Sequence, residues 1–312
     1  FKTLTKQEVN VANYPFATID PNVGIVAVPD ERVDKLADLM KSAKKIPAVV
    51  EFYDIAGLVK GANKGEGLGN QFLSHIREVN AIVQVVRCFK NDEIIHIENN
   101  VEPSRDIDTI NTELILKDLD TIEKRLGKLE GEARTGDKNK TKELELVKKI
   151  RDGLNENKLA INIGVDINPE YNLLTAKPQI YLLNGKADDV SEDLKNKIKD
   201  LKAEYLIIDL ANAENINELI KKTYELLGLI SFLTTGEDET RAWTIIKSTK
   251  APQAAGVIHT DFEKKFIRAE VINWEKLFEA NSWAVARQKG WLRLEGKDYV
   301  VQDGDVIEVR HG

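Results

Sequence analysis

The sequence predicts an α/β protein whose sheet is interrupted by a long helical arm and followed by a small α+β module. Three observations carry that expectation. Short apolar runs alternate with helical patterns up to about residue 103 and again after about residue 175, as in a sheet with crossover helices. Between them a long stretch switches to apolar residues spaced four, three, four and three apart. Beyond Thr234, short strand-like segments separated by Gly-Lys-Asp and Asp-Gly turns replace both patterns. The expected boundaries are therefore 1–103 with 175–233 for the interrupted sheet, 104–174 for the helical insert, and 234–312 for the module.

In chain order, "GIVAV" (24–28), "AVVEFYDI" (48–55) and "AIVQVVRCF" (81–89) read as buried strands. "VDKLADLMKSA" (33–43) and "GNQFLSHIREV" (69–79) read as the helices between them, which predicts a parallel sheet. Ile115, Leu119, Ile122, Leu126 and Leu129 form the seam of a coiled-coil hairpin. "RTGDKNK" (134–140) makes its turn, and Leu144, Val147, Ile150 and Leu154 line the returning helix. Residues 103–160 hold 13 Lys+Arg and 13 Asp+Glu, so the arm is balanced rather than polybasic. "PQIYLLN" (178–184) and "YLIIDLA" (205–211) resume the sheet, and "NINELIKKTYELLG" (215–228) is a helix closing on Gly228. In the last region "RAWTIIKS", "FIRAEVI", "DYVVQ" and "DVIEVR" are the expected strands, with one or two helices in "NWEKLFEANSWAVARQKG". Four strands around a helix fit a β-grasp module, and within it the stretch 241–312 holds 12 Lys+Arg against 10 acids, a positive balance for that stretch.

Composition narrows the class. At 312 residues, 42% hydrophobic and 31% charged, the chain has ample length for more than one core. Its longest apolar stretch, near Leu226 to Leu233, is far short of a membrane span. Cys88 stands alone, which excludes a disulfide framework, and no secretory signal opens the sequence, so the cytoplasm is the expected location. A net charge of -7 argues against coating nucleic acid through bulk charge. "FKTLTK" reads as the middle of a helix, and residues upstream of it are expected.

The segment "EFYDIAGLVKGANKGEGLGNQFL" (51–73) carries the chemistry. Gly57, Gly61, Gly65, Gly67 and Gly69 place five of the 19 glycines within 13 residues. A packed core gains nothing from that, whereas a loop that approaches a ligand with its backbone does. Asp54-Ile55-Ala56-Gly57 ends a strand-like run; in such a setting the Asp can hold a Mg²⁺-bound water and the Gly N–H can meet a terminal phosphate. Upstream, Thr18 in "NYPFATIDPNVG" can coordinate Mg²⁺ through its hydroxyl.

Together "NYPFATIDPNVG", "EFYDIAGLVKGANKGEGLGNQFLSHIRE", "RCF", "NTELILKDLDTIEKRL", "RAWTI", "APQAAGVIHTDFEKKFIRAEV" and "EGKDYVVQDGDVI" resemble the YchF family of Obg-related P-loop ATPases. The resemblance spans nearly the whole chain and is weakest between about 130 and 215. It implies a P-loop GTPase-type nucleotide domain, an inserted helical coiled-coil arm and a C-terminal β-grasp (TGS) domain, in an ATP-hydrolysing molecular switch that binds the ribosome and acts in translation. Its implied cofactors are Mg²⁺ and ATP, with GTP as the alternative nucleotide and K⁺ as a further candidate. The implied partner is the ribosome, its large subunit in particular, with RNA contact and no membrane.

Carried over residue by residue, Thr18 and Asp54 serve the metal, Gly57 the terminal phosphate, and Asn184, Gly185 and Asp188 the base. Three departures qualify the resemblance. The Gly-rich phosphate loop with its Lys and Ser, which the family places directly before "FKTLTK", is absent, and omission from the sequence is the expected reason. "LLNGKADD" supplies the family's Asn as Asn184, but no Glu follows in the expected place. Gly185-Lys186-Ala187-Asp188 instead half-resembles the guanine-reading Asn-Lys-x-Asp, which keeps a GTP-specific enzyme as the second reading. The chain also ends in "EVRHG" where relatives end on an aromatic-containing strand. A nucleotide-dead adaptor that binds ribosome or RNA is the third reading.

Leu58 stands where Ras-like enzymes place a water-orienting Gln, and a leucine cannot orient water. His96, in "CFKNDEIIHIENN" beyond a strand end, is the expected catalytic substitute, since relatives carry the corresponding histidine and a neutral imidazole can accept a proton. His75 reads as an exposed helix residue, and His259 with Asp261 as structural or docking residues.

Overall fold

The computed structural model describes residues 23–55, 73, 75–90, 100–134 and 137–312. These divide into two compact units. One joins the segment ending at Tyr53 to Asn215–Gly312, and the other runs from Asp54 to Glu214.

In the first unit, β1 (Val23–Ala27) and β3 (Val49–Tyr53) pair antiparallel, from Val23 opposite Tyr53 to Ala27 opposite Val49. This corrects the parallel arrangement expected for these strands. Between them lies an excursion: α1 (Glu31–Met40), capped by the Asp30 side chain on Arg32 N, then β2 (Lys44–Ile46). It turns the chain back, and Val28 N–H to Ala48 O closes the ladder at 2.8 Å. Three-residue β2 carries too little pattern to be read from sequence; it pairs parallel with β8 (Glu239–Ile246).

That strand edges a six-stranded sheet in the order β10-β9-β11-β7-β8-β2, with β7 at Leu229–Thr235, β9 at Phe266–Asn273, β10 at Arg293–Glu295 and β11 at Asp305–His311. Gly228, at φ 65°, makes the left-handed turn from helix α5 (Asn217–Leu226) into β7. Phe232, Ile245, Ala254, Ala269, Val271 and Ile307 form the core on one face, covered by α6 (Ala251–Ile258) and Phe262 of α7 (Thr260–Lys264). "DYVVQ" is not a strand. Its Val300 forms one bridge to Lys250, while Ala251 N–H bonds Tyr299 O and Val301 N–H bonds Thr249 O, so the segment closes on a turn. The expected helical stretch resolves into two, α8 (Trp274–Ala280) and α9 (Trp283–Gln288).

The second unit holds the parallel sheet that the alternation predicts: β4 (Ile82–Arg87), β5 (Gln179–Asn184) and β6 (Glu204–Ile208), in that order. Register sets Arg87 opposite Asn184 and Asn184 opposite Ile208, so the three strands end in line. The insert between β4 and β5 is the arm, α2 (Pro103–Ala133) and α3 (Lys138–Asn155). Its seam is as read: Ile115, Ile122, Leu126 and Leu129 are buried against Val147, Ile150 and Leu154, with Leu119 and Leu144 partly buried at its margin. The Arg125 guanidinium bonds Glu143, which also accepts from Tyr171 Oη at 2.9 Å; Arg125 first among these contacts holds the Glu143 carboxyl below its ordinary range. α4 (Glu192–Asp200), capped by Ser191, packs Leu194 and Ile198 on Tyr181, Leu183 and Ile107.

The arm is tied to the sheet by polar contacts as well. Asp118, fully buried, accepts from Leu174 N at 2.7 Å, Thr175 N at 2.8 Å and Thr175 Oγ1 at 2.7 Å. Gln84, Asn111, Gln179 and Tyr181 form a second buried network between α2 and the strands. No helix among the described residues is long and apolar enough to cross a membrane.

Candidate functional site

The aligned C-terminal ends of β4, β5 and β6 build the candidate site, the position where open parallel sheets bind ligands. Asn184 ends β5. Its side-chain Oδ1 accepts from Leu210 N at 3.1 Å, fixing the chain that leaves β6, and its carbonyl accepts from Cys88 N at 2.9 Å, fixing the chain that leaves β4. Gly185 N–H continues the lattice to Ile208 O at 3.2 Å. A Cβ at residue 185 would lie 3.1 Å from Asp189 Oδ2 and 3.3 Å from Cys88 Cβ, so glycine is what lets the two loops approach.

The next residues form a short 3-10 turn, Ala187–Asp189, in which Asp189 Oδ2 accepts from Lys186 N at 2.8 Å. Asp189 is thus committed to the turn itself. Asp188 is exposed and makes no hydrogen bond among the described residues, which leaves both its oxygens as acceptors for a ligand. Around them Cys88, Phe89, Lys90, Lys186, Asp188 and Asp189 line an open pocket of about 530 Å³. Burial, then the nearby Asp189 charge, pushes the Cys88 thiol up to about 11, so this sulfur is a neutral wall and not a nucleophile. The Phe89 ring is held by the Arg87 guanidinium 4.8 Å from its centroid, and Arg87 Nε also donates to Phe89 O at 3.2 Å. The pocket offers one aromatic surface, two cationic stems and one uncommitted carboxylate, a set that fits a planar ring with polar edges.

Of the expected base-binding residues, Asp188 lines this pocket, while Asn184 and Gly185 stand behind it and set its walls. Asp54 follows β3 and is exposed. Thr18, Gly57, Leu58 and His96 lie outside the described residues. His75 is exposed on the helical residues 75–78, as expected. His259 Nδ1 accepts from Asp261 N at 3.2 Å and caps α7, a structural contact. Sequence reasoning missed Phe89, Lys90 and Asp189. The signal for them was slight: an aromatic–cation pair immediately after a buried strand.

Among the described residues no group of three or more His, Cys, Asp or Glu is placed to hold a metal ion. A lone exposed carboxylate nevertheless suits Mg²⁺, which keeps several waters and takes one or two carboxylates together with substrate phosphates.

The strand order, the Asn-Gly turn at a strand end and the pocket beside it define a nucleotide-binding α/β fold of the GTPase class. Residues 1–120 match the family model described as 50S ribosome-binding GTPase, and residues 229–312 match the C-terminal YchF-GTPase model, described as a protein of unknown function. The chain belongs to the YchF family. It is 44% identical over 345 aligned positions to the ribosome-binding ATPase YchF of Bacillus subtilis, covering 99% of this chain and 94% of that one. It is 42% identical to the protein of the same description from Escherichia coli O157:H7, covering 98% and 93%. A solved structure described as the Schizosaccharomyces pombe YchF GTPase superposes with a TM-score of 0.86 at 38% identity, covering 99% of this chain and 93% of that one.

Proposed function

We propose that this protein is a Mg²⁺-dependent nucleoside triphosphatase that prefers ATP and works as a ribosome-associated switch. The observation that carries the reading is the pocket at the strand ends, bounded by Phe89, Lys186 and Asp188 and braced by Asn184, in a chain whose relatives are described as ribosome-binding ATPases. In this reading the base lies against Phe89 and the Lys186 stem, with the Asn184 amide and the Gly185 backbone fixing the turn that meets it. Asp188 accepts from an exocyclic amine of the base. Thr18 and Asp54 hold Mg²⁺, which when bound neutralises phosphate charge, and Gly57 N–H meets the terminal phosphate. His96 orients the attacking water in place of Leu58, and does so when the ribosome is engaged. The large ribosomal subunit, with RNA contact, is the partner surface this reading assigns. K⁺ is a further candidate cation. The third domain, 234–312, acts as a TGS-type module, and 1–103 with 175–233 as the nucleotide domain around the 104–174 insert. The cytoplasm is the compartment this function needs.

Asp188 also favours a second reading, GTP specificity, because a carboxylate can accept from both N1–H and the 2-amino group of guanine. Competitive titration separates the two. ATP should bind more tightly than GTP, and Asn184→Ala, which releases Leu210 N–H from its acceptor, should weaken both by about tenfold, or ~1.4 kcal/mol. GTP binding tenfold tighter than ATP would establish the second reading in its place.

A further inference from the structure

Both chain segments that flank the glycine-rich stretch are seated on the root of the arm. Ile55, the neighbour of Asp54, packs in one cluster with Leu73 and Ile76 from beyond that stretch, with Leu114 and Ile110 of α2, and with Leu174. Leu73, Leu114 and Leu174 are at most 1% exposed, so these surfaces interdigitate as a core and not as a sliding contact.

Polar contacts repeat the link. Arg77 Nη2 donates to Thr121 Oγ1 of α2 at 3.0 Å, and Thr121 Oγ1 in turn donates to Lys117 O at 3.2 Å. Lys177 Nζ donates to Arg77 O at 3.0 Å and also to Val79 O. The positive charge of Arg77 also acts on buried Asp118, the carboxylate that holds Leu174 and Thr175. One donor of this guanidinium is left over. Arg77 Nε is buried with no hydrogen-bond partner among the described residues. An unmet buried donor is unfavourable, and a shifted arrangement of Arg77 against α2 can give it a partner.

We infer that Arg77 and Thr121 are positioning residues that couple the helical arm to Asp54, so that a displacement of the arm root on its partner moves Ile55, Leu73 and Ile76 together and re-aims the metal-binding carboxylate. The inference rests on the proposed role of Asp54. It gives the balanced, non-polybasic arm a function, as a lever read through shape and packing. Coupling of this kind is reciprocal, so nucleotide binding at the Asp54 end must in turn bias the arm root, and the bias expected here is toward tighter packing.

Amide hydrogen exchange tests this on the whole protein, with ATP·Mg²⁺ binding measured calorimetrically on the same samples. ATP·Mg²⁺ should slow exchange over residues 107–122 by about fivefold or more in the parent protein. Thr121→Val keeps the branched shape but removes the acceptor, and should lose that protection while still binding ATP. Thr121→Ser keeps the hydroxyl and should restore it, which separates a specific contact from general loosening. ATP binding with protection confined to residues 54–78, or undiminished protection in Thr121→Val, would overturn the coupling alone. Failure of the parent protein to bind ATP would overturn the nucleotide-site reading, and the coupling with it.

Discussion

Asp54→Ala should cut Mg²⁺-dependent ATP hydrolysis by about 100-fold or more, on the order of 3 kcal/mol of transition-state stabilisation, with the fold intact. The size follows from the chemistry: phosphoryl transfer is catalysed almost wholly by positioning and charge neutralisation, and a carboxylate that fixes a metal-bound water contributes to both. The fold should survive because Asp54 is exposed and its neighbour Ile55 supplies the packing. Steady-state phosphate release with a parallel thermal melt checks both parts. Unchanged turnover in a folded variant would remove Asp54 from the metal site.

Asp118→Ala should be the costliest single change to stability in the 54–214 unit, about 3–5 kcal/mol. The side chain is 0% exposed and takes three hydrogen bonds, two from backbone N–H groups of Leu174 and Thr175 and one from the Thr175 hydroxyl. That hydroxyl accepts in turn from Ala160 N at 2.9 Å, so one carboxylate joins α2, the end of the arm and the entry to β5. Burial, the largest influence on it, pushes the Asp118 carboxyl above its ordinary range, and the Thr175 and Leu174 donors oppose that push. Truncation would leave three donors unmet. Asp118→Asn, which keeps one acceptor oxygen, should cost less than alanine. Urea unfolding gives both values, and a penalty under about 1 kcal/mol for alanine would show that the network carries little of the arm's attachment.

What the sequence made legible was what periodicity encodes. The arm seam from Ile115 to Leu129 and the three parallel strands were visible because each side chain reports its own burial through spacing. The β1–β3 pairing was hidden, since antiparallel or parallel order depends on where the 31–46 excursion goes, and that is settled by β2 docking on β8, some 200 residues away. The pocket was half legible. Asn184 and Asp188 fall in a recognisable turn, but Phe89 and Lys90 come from another strand end and join them only through the register that sets Arg87 opposite Asn184. Asp188 and Asp189 are adjacent acids with no distinguishing pattern. Their difference is geometric, because the 3-10 turn commits Asp189 to Lys186 N–H and frees Asp188. Buried polar residues such as Asp118 and Gln84 carry no periodic signal of their own, and only their partners explain them.

The central claim is that this chain hydrolyses ATP as a partner-controlled switch whose water is oriented by His96. Single-turnover phosphate release from ATP·Mg²⁺, with and without saturating ribosomes, in the parent protein and in His96→Ala, tests it most directly. The account predicts that ribosomes accelerate the parent protein and that His96→Ala loses about 100-fold of the stimulated rate, within the range for a positioned general base, while ATP affinity stays within about twofold. Equal stimulated rates in parent and variant, or an ATP rate that ribosomes leave unchanged, would contradict it.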